Sequence, residues 1–282
     1  MAMLIGQDHA AARSRFAVGV LAGERAGRDA IALAEGVRGK VLVDIAGVPM
    51  LQRVLDVVAG LEGSAGTYLS GPRQDIVAVT PWLHARIEQG AVLWQPPQSS
   101  PARSAALLLD AAFSGPAHLD ALDALLLTTG DHPLLTAATA KRFVEDALAT
   151  DADVVIGLAS HALVQAAFPA GRRTALKLAD GPFCGCNLFL FRGLAGSALL
   201  DFWQGREEDR KRPGRMAATL GFGIVMRYLT GRLTSTTALA RIAELTGVRV
   251  AAIAEGDPDA AVDVDSLADL ALVRARFEAR RR

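Results

Sequence analysis

Short apolar runs alternate with amphipathic segments along most of the chain. Four runs have the length and apolar content of buried strands: 16–21, 91–95, 124–129 and 153–158. Between them, helical patterns cover 49–59, a segment that begins near Pro101, and 136–149. This βα alternation predicts an α/β fold that is Rossmann-like, with a mainly parallel sheet and helices on both faces.

The second half of the chain keeps strand-like runs but breaks the rhythm. The runs ALKLAD (175–180) and CNLFLF (186–191) are separated by Gly181 and Pro182, which predicts two strands joined by a turn. Sheet-like sequence returns at 248–254 and at 261–265 (AVDVD). Ser266 is placed to cap a final helix.

Between these strand signals, residues 197–246 are predicted to form a helical insertion within a single domain that spans 1–282. Its segment 216–233 follows a basic run at 206–215. That pattern suits a packing helix with a solvated basic face, and it also suits a helix that lies on a membrane surface or covers a hydrophobic acceptor. Residues 1–14 are predicted to be flexible.

Composition excludes several classes of protein. The 282 residues carry 30 basic and 30 acidic side chains, so no overall positive field exists to bind nucleic acid. The longest uncharged stretch, 154–171, contains histidine, glutamine and proline and does not suit a membrane span. No export signal is visible, and only two cysteines are present, one residue apart. We therefore expect a cytoplasmic protein.

Polar clusters follow three of the predicted strands, where ligands bind in open parallel sheets. The first, LAGERAGR at 21–28, continues to Lys40. Backbone N–H groups of such a loop can surround phosphate, with Arg25, Arg28 and Lys40 neutralising its charge, although an ordinary charged loop fits the spacing as well.

The other two clusters carry carboxylates. Asp131 directly follows the strand at 124–129, where it can bind Mg²⁺ or cap the next helix, and His132 beside it suits a packed or capping role. In an extended strand, Asp263 and Asp265 share one face and Val262 and Val264 share the other. Either aspartate can complete a metal site with Asp131, or the pair can be a solvated strand end.

Taken in order, four segments resemble the MobA-like nucleotidyltransferases, which are related to the molybdopterin cytidylyl- and guanylyltransferases. They are LAGERAGR with Lys40 and VLVDIAGVPMLQRVLD, then QPPQSSPARSAALLLDA at 95–111, LLLTTGDHPLLT at 125–136 and VDVDSLADL at 262–270. The resemblance covers most of the chain apart from 197–246. It implies the GT-A-like nucleotidyltransferase fold and a Mg²⁺ cofactor.

The resemblance also implies roles for individual residues. Lys40, Asp131 and Arg25 would be catalytic, and Asp131 and Asp265 would hold Mg²⁺, with Asp263 as second choice. Asn187 and Gly185 would contact the acceptor. The nucleotide would be bound by Leu21, Ala22, Gly23, Arg25, Arg28, Lys40, Gln95, Ser99, Ser100 and Ser104.

The sequence departs from the family pattern at Glu24, where a second glycine is usual, and in a longer stretch from Arg28 to Lys40. These departures leave open whether Arg25 or Arg28 touches the triphosphate. The cysteines of CGC at 184–186 are interpreted as small residues that let a strand approach the ligand.

The function implied is transfer of a nucleoside monophosphate from a nucleoside triphosphate, CTP or GTP, to a phosphorylated small-molecule or lipid-precursor acceptor. Pyrophosphate would be released. Two alternatives remain open at this point: a glycosyltransferase of similar fold that uses a nucleotide sugar, and a nucleotide-binding protein without catalysis. The first usually carries DxD where this chain has GDHP.

Overall fold

The computed structural model describes residues 15–24, 29–115, 119–120, 123–171, 173–205 and 219–281. The prediction for residues 1–14 and the assignments of Arg25 and Arg28 lie outside these residues.

A mixed sheet of eight strands forms the centre of the fold. Seven strands lie in the order β10-β7-β9-β6-β1-β4-β5, and β8 pairs with β9. They are β1 (Phe16–Leu21), β4 (Ser64–Ser70), β5 (Leu93–Gln95), β6 (Ala124–Thr129), β7 (Val154–Ser160), β8 (Leu176–Leu178), β9 (Gly181–Arg192) and β10 (Val250–Glu255). A separate hairpin joins β2 (Asp44–Ile45) to β3 (Val48–Pro49).

Strand direction confirms the predicted, mostly parallel sheet. β1 is parallel to β4 and β6, β4 to β5, and β7 to β10. β9 alone runs against its neighbours β6, β7 and β8. The carboxyl ends of the other strands, and the start of β9, therefore meet at one edge.

Both faces of the sheet are covered, as the nearly continuous apolar strands require. Along β1, Val18 and Val20 face one apolar core, whereas Ala17 faces the other. In β6, Leu126 packs into the first core and Leu125 into the second. This period of two places alternate side chains against helices on opposite faces.

The helices follow the strands in chain order. They are α1 (Ala30–Ala34), α2 (Met50–Ala59), α3 (Gln74–Val77), α4 (Pro81–Glu88), α5 (Pro101–Ser114), α6 (Ala137–Leu148), α7 (His161–Ala167), α8 (Ser197–Gln204), α9 (Phe222–Leu229), α10 (Ser235–Thr246) and α11 (Leu267–Arg281). Short 3-10 turns lie at Lys40–Leu42 and Pro258–Ala261.

Several of these boundaries were predicted. β1 and β6 coincide with their apolar runs, and α2, α5 and α6 occupy the predicted helices. Thr136 caps α6 by accepting the Thr139 N–H at 3.1 Å. Ser266 accepts the Asp269 N–H at 3.2 Å, as expected for the cap of the final helix.

Three elements of the structure differ from their predictions. The turn between β8 and β9 is at 179–180, since Gly181 and Pro182 already pair with Leu178 and Lys177. Residues 261–265 do not form the expected strand: Ala261 ends a 3-10 turn, and the Val264 N–H donates to the Asp131 carbonyl at 2.9 Å without joining a strand of the described sheet. The loop expected up to Lys40 contains α1, which Asp29 caps.

The helical character of 197–246 is confirmed over its described residues, but its parts differ. α8 buries Leu199 and Leu200 in the second core. α9 has no buried residue, and Phe222 and Leu229 are 80% and 71% exposed. The exposed face of α9 is therefore largely apolar, whereas the basic run at 206–215 lies outside the described residues, so the interpretations of 216–233 stay predictions. Among the described residues, no helix combines the length and apolar character that crossing a membrane requires.

Candidate active site

Three charged side chains meet at the carboxyl edge of the sheet. The Lys40 ammonium donates to Asp131 Oδ2 at 2.6 Å and to Asp265 Oδ1 at 3.2 Å. The side chains of Lys40 and Asp131 are 15% and 19% exposed, whereas that of Asp265 is 59% exposed. Two carboxylates from distant parts of the chain thus converge on one cation that is largely shielded from water.

Lys40 keeps its positive charge in this setting. Burial by itself would lower the pKa of Lys40, because it disfavours the charged form. The attraction of Asp131 and Asp265, together with their hydrogen bonds, outweighs burial and raises the pKa of Lys40 above its usual value. The ammonium is therefore a stable charge at neutral pH.

Asp131 is positioned by the turn that follows β6. The N–H of Gly130 donates to the Leu21 carbonyl at 2.8 Å, and a Cβ at Gly130 would lie 2.9 Å from a neighbouring leucine side chain. The bond from the Val264 N–H to the Asp131 carbonyl then holds the next residue, Asp265, beside Asp131. Thr136, not Asp131, caps the following helix.

This cluster forms one side of a cleft of about 380 Å³. Residues that the sequence predicted and that line the cleft are Leu21, Gly23, Lys40, Ser99, Ser100, Ser104, Asp131 and Asp265. Lining residues that the sequence reasoning missed are Glu24, Asp29, Val41, Gln98, Pro101 and Thr129. Most of the missed residues are sequence neighbours of predicted ones. Extending each predicted cluster by one residue along its loop would have identified those neighbours.

Close backbone approach shapes the opposite wall. A Cβ at Gly23 would lie 3.2 Å from Pro97 Cβ, so the loop after β1 nearly touches the segment after β5. In that segment the Gln98 N–H donates to Ser104 Oγ at 3.0 Å, and Ser100 accepts the Arg103 N–H at 3.3 Å as the cap of α5. The two hydroxyls therefore fix the shape of this wall.

Two residues assigned to the nucleotide do not line the cleft. Ala22 is 1% exposed, and its N–H donates to the Ser70 carbonyl at 2.8 Å. The Oε1 atom of Gln95 is buried and has no hydrogen-bond partner among the described residues. Arg25 and Arg28 lie outside the described residues, so their assignments stay predictions.

Glu24, the departure from the family pattern, packs behind Lys40. A Cβ at Gly39 would lie 2.0 Å from Glu24 Oε1, so the carboxylate occupies the space that the glycine leaves free. Burial raises the pKa of Glu24, and Arg73 and the Lys40 backbone N–H only partly offset it. Glu24 thus supports the turn that carries Lys40.

Asp263 and Asp265 do not share a face, contrary to the expectation from an extended strand. Asp263 Oδ1 accepts from Arg173 at 2.6 Å, and its Oδ2 accepts from the Asn187 amide at 3.0 Å. The chain leaves the sheet where β10 ends at Glu255 and then passes through the turn at Pro258–Ala261, so no strand imposes strict alternation on Asp263 and Asp265. Of the two aspartates, only Asp265 contacts the Lys40 ammonium.

The residues assigned to the acceptor, Asn187 and Gly185, lie on the far side of Asp263 and do not line the cleft. Asn187 adopts a left-handed backbone conformation with φ of 49°, and Gly185 is exposed on β9. Cys184 and Cys186, which were expected to face a ligand, are free thiols buried in the first core. The alternation of β9 points them inward.

His132 is a packed residue, as its position suggested. It is completely buried, and neither ring nitrogen has a hydrogen-bond partner within the described part of the chain. Burial lowers the pKa of His132, although the charges of Asp263 and Asp131 oppose this. The imidazole is therefore neutral and does not serve as a cation in the cleft.

A mostly parallel sheet with a polar cleft at its carboxyl edge, a shielded lysine and two converging carboxylates is suited to binding a phosphorylated nucleotide. These features define an α/β enzyme of the nucleotidyltransferase class, and the comparisons with known proteins agree. Residues 18–183 match the model of the MobA-like NTP transferase domain. The match spans more than half of the chain, which therefore belongs to this family.

Solved structures share the fold. A hypothetical transferase from Thermus thermophilus is 29% identical with a TM-score of 0.71, over 91% of this chain and 99% of that one. A 4-diphosphocytidyl-2C-methyl-D-erythritol synthase from Anaerococcus prevotii is 11% identical with a TM-score of 0.57, over 94% and 96%. A CMP:2-keto-3-deoxy-manno-octonic acid synthetase, solved with CTP, is 15% identical with a TM-score of 0.51, over 95% and 99%. No curated protein matches the chain at a significant level.

Proposed function

We propose that the protein transfers a nucleoside monophosphate from a nucleoside triphosphate to a phosphorylated acceptor and releases pyrophosphate. The observation that carries this proposal is the convergence of Asp131 and Asp265 on the Lys40 ammonium at the side of the cleft. The family resemblance favours CTP or GTP, and one structural neighbour was solved with CTP.

The proposed reaction needs no protein nucleophile. An oxygen of the acceptor phosphate, already ionised at neutral pH, attacks the α-phosphorus in line. One new P–O bond forms, and the bond from the α-phosphorus to the oxygen that bridges to the β-phosphate breaks, so pyrophosphate leaves with its electron pair. Catalysis then consists of positioning and charge neutralisation, for which Lys40 is suited. We keep Arg25 or Arg28 as a second cation.

The residues present fit a Mg²⁺ ion. Asp131 and Asp265 supply hard oxygen donors that lie close enough to share one cation, the Lys40 ammonium, and Mg²⁺ in such sites takes one or two carboxylates plus substrate phosphates. No group of three or more His, Cys, Asp or Glu side chains within the described ranges could hold a metal alone. A bound Mg²⁺ would lower the barrier by neutralising phosphate charge, and it would depend on the nucleotide for its other ligands.

The acceptor is proposed to bind on the side of Asp131 and Asp265 where Asn187 and Gly185 lie. The Asn187 amide is held by Asp263, and Gly185 leaves open space, since no atom lies within 4 Å of where its Cβ would be. A phosphorylated small molecule or lipid precursor suits this side. A cytoplasmic location stays a prediction.

The product of the reaction tests the proposal against its rivals. The protein would be incubated with each nucleoside triphosphate, Mg²⁺ and a panel of phosphorylated acceptors, and separately with nucleotide sugars. We expect pyrophosphate from one triphosphate. Release of a nucleoside diphosphate from a nucleotide sugar would instead indicate a glycosyltransferase, and nucleotide binding with neither product would indicate a binding protein.

A further inference from the structure

A second cavity, of about 410 Å³, opens at the same edge of the sheet but outside the cleft. It is lined by His161, Arg173, Ala175, Lys177, Leu178 and Pro182. None of these residues was predicted to bind a ligand, and the reaction described above does not use them. We call this cavity the β8 pocket.

The strand order places the β8 pocket opposite the cleft. β1, β4 and β5 lie on one side of β6, whereas β9, β7 and β8 lie on the other. His161 directly follows β7, and Lys177 pairs with Pro182 across β8 and β9. Asp131, after β6, therefore stands between the cleft and the β8 pocket.

Arg173 connects the two cavities. Its guanidinium donates to Asp263 Oδ1 at 2.6 Å and to the Asp263 carbonyl at 2.9 Å, and it pairs with Asp269 at 3.2 Å. Asp265, which contacts Lys40, lies on the chain between these two aspartates. The segment 263–269 thus links the two cavities, because it contacts Arg173, which lines the β8 pocket, and contains Asp265, which lines the cleft. We call this segment the shared wall.

The lining combines positive charge with apolar surface. Ala175, Leu178 and Pro182 offer no side-chain hydrogen bond, and no acidic residue lines the pocket. Asp263 and Asp269 neutralise Arg173, but within the described ranges no carboxylate lies within salt-bridge distance of Lys177 or His161. An anion with an apolar body matches this lining, whereas the hydroxyls of a polyol would lose water without gaining partners.

We propose that the β8 pocket binds the acceptor, and that the acceptor is an organic phosphate with an apolar body and not a polyol phosphate. Lys177 and His161 pair with its anionic group, and Leu178 and Pro182 cover its apolar part. Arg173 is a positioning residue that holds the shared wall. The role as acceptor site rests on the proposed transferase function, but the affinity of the pocket for such a phosphate does not.

Titration calorimetry of the full chain tests this inference with phenyl phosphate, glycerol 3-phosphate and inorganic phosphate as probes. We expect phenyl phosphate to bind about tenfold more tightly than the other two, since only it buries apolar surface. Lys177→Gln should weaken phenyl phosphate binding by about tenfold, the loss of one charge-assisted contact. Leu178→Asn should remove the preference for phenyl phosphate over glycerol 3-phosphate.

Lys141→Gln is the matched control, because Lys141 is an exposed lysine on α6 that pairs only weakly with Glu62, at 3.7 Å. It should bind phenyl phosphate like the wild type. Equal affinity for the three probes, no binding of phenyl phosphate, or equal losses in Lys177→Gln and Lys141→Gln would each overturn the inference.

Titration of the same samples with nucleoside triphosphates and Mg²⁺ separates the two proposals. Lys177→Gln should bind the triphosphate as well as the wild type does. If no triphosphate binds the wild type, the proposed transferase function fails, while the phenyl phosphate results still decide whether the β8 pocket is an anion site.

Discussion

The two cavities at the carboxyl edge differ in how the chain builds them. The cleft is walled by loops that directly follow β1, β5 and β6, and it presents backbone groups, hydroxyls, Lys40 and the carboxylates of Glu24, Asp29, Asp131 and Asp265. The β8 pocket is formed where β8 pairs with β9, and it presents apolar side chains beside cations. Together with the proposed Mg²⁺, the first arrangement suits a polyanion with many oxygen atoms, and the second suits a smaller anion with an apolar body. One sheet edge can thus separate the two substrates of a transfer reaction.

The largest effect is expected at Asp131, which lines the cleft and contacts Lys40. Asp131→Asn should lower the rate of pyrophosphate release by about 10²–10³, as for other preorganised electrostatic groups. The asparagine keeps the size and a carbonyl oxygen for Lys40 but loses the charge. The rate would be measured with the triphosphate and acceptor found in the product assay. Asp201→Asn, at an exposed position on α8, is the control, and near-normal turnover of Asp131→Asn would remove the metal assignment.

The next effect should fall on the shared wall. Arg173→Met leaves Asp263 and Asp269 without their shared cation. The exposed fractions of the side chains are 11% for Arg173, 25% for Asp263 and 15% for Asp269. We expect the free energy of unfolding, measured in urea, to fall by about 1–3 kcal/mol, because the two carboxylates lose the hydrogen bonds that the guanidinium donated. Lys141→Met, in the exposed pair with Glu62, should be indistinguishable from the wild type, and an equal loss in both variants would contradict the role of the wall.

On the nucleotide side, Gly71→Ala should disturb the loop after β1. A Cβ at Gly71 would lie 2.6 Å from the Ala22 carbonyl oxygen and 2.8 Å from Gly23 N, at a φ of 88°. Left-handed strain alone costs about 1–3 kcal/mol, and these backbone contacts cannot move aside. Gly90→Ala has a similar φ of 71° and nothing nearby, so it measures the strain alone. Thermal melting should show the larger loss for Gly71→Ala, together with weaker triphosphate binding, and equal melting would contradict the close approach.

The smallest effect is expected at Ser104. Ser104→Ala removes the acceptor for the Gln98 N–H, which should weaken triphosphate binding by about 1 kcal/mol, roughly fivefold in affinity. Calorimetric titration would measure it. Ser114→Ala, at the exposed end of the same helix, should bind normally. A larger loss for Ser114→Ala would place the binding surface elsewhere.

The difference between the two cavities also explains what could be predicted from sequence. Asp131 follows an apolar strand and Lys40 ends the polar segment that begins after β1, so both were candidates from local sequence, while the family resemblance supplied their proposed roles. β4, which reads SAGTYLS, was not predicted because it lacks an apolar run at its start. Its place between β1 and β5 comes from pairing, which no local pattern shows.

The acceptor side depends on contacts between residues far apart in the chain. Arg173 meets Asp263 across 90 positions, and the reversed direction of β9 depends on its pairing with β6 and β7. Val262 and Val264, which the alternation placed on one face, are both buried. The alternation could not predict that Asp263 and Asp265 have different partners, because that depends on where the chain leaves the sheet.

Thermal stabilisation by CTP, GTP, UTP, ATP and dTTP, with Mg²⁺ and with EDTA, tests the central claim most directly. The wild type should be stabilised by one triphosphate in the presence of Mg²⁺, by roughly 2.7 kcal/mol at a ligand concentration of about 100 Kd. EDTA, Asp131→Asn and Asp265→Asn should each remove most of that stabilisation. Equal stabilisation of the wild type and both variants, or no stabilisation by any triphosphate, would contradict a nucleotide site built on Lys40, Asp131 and Asp265.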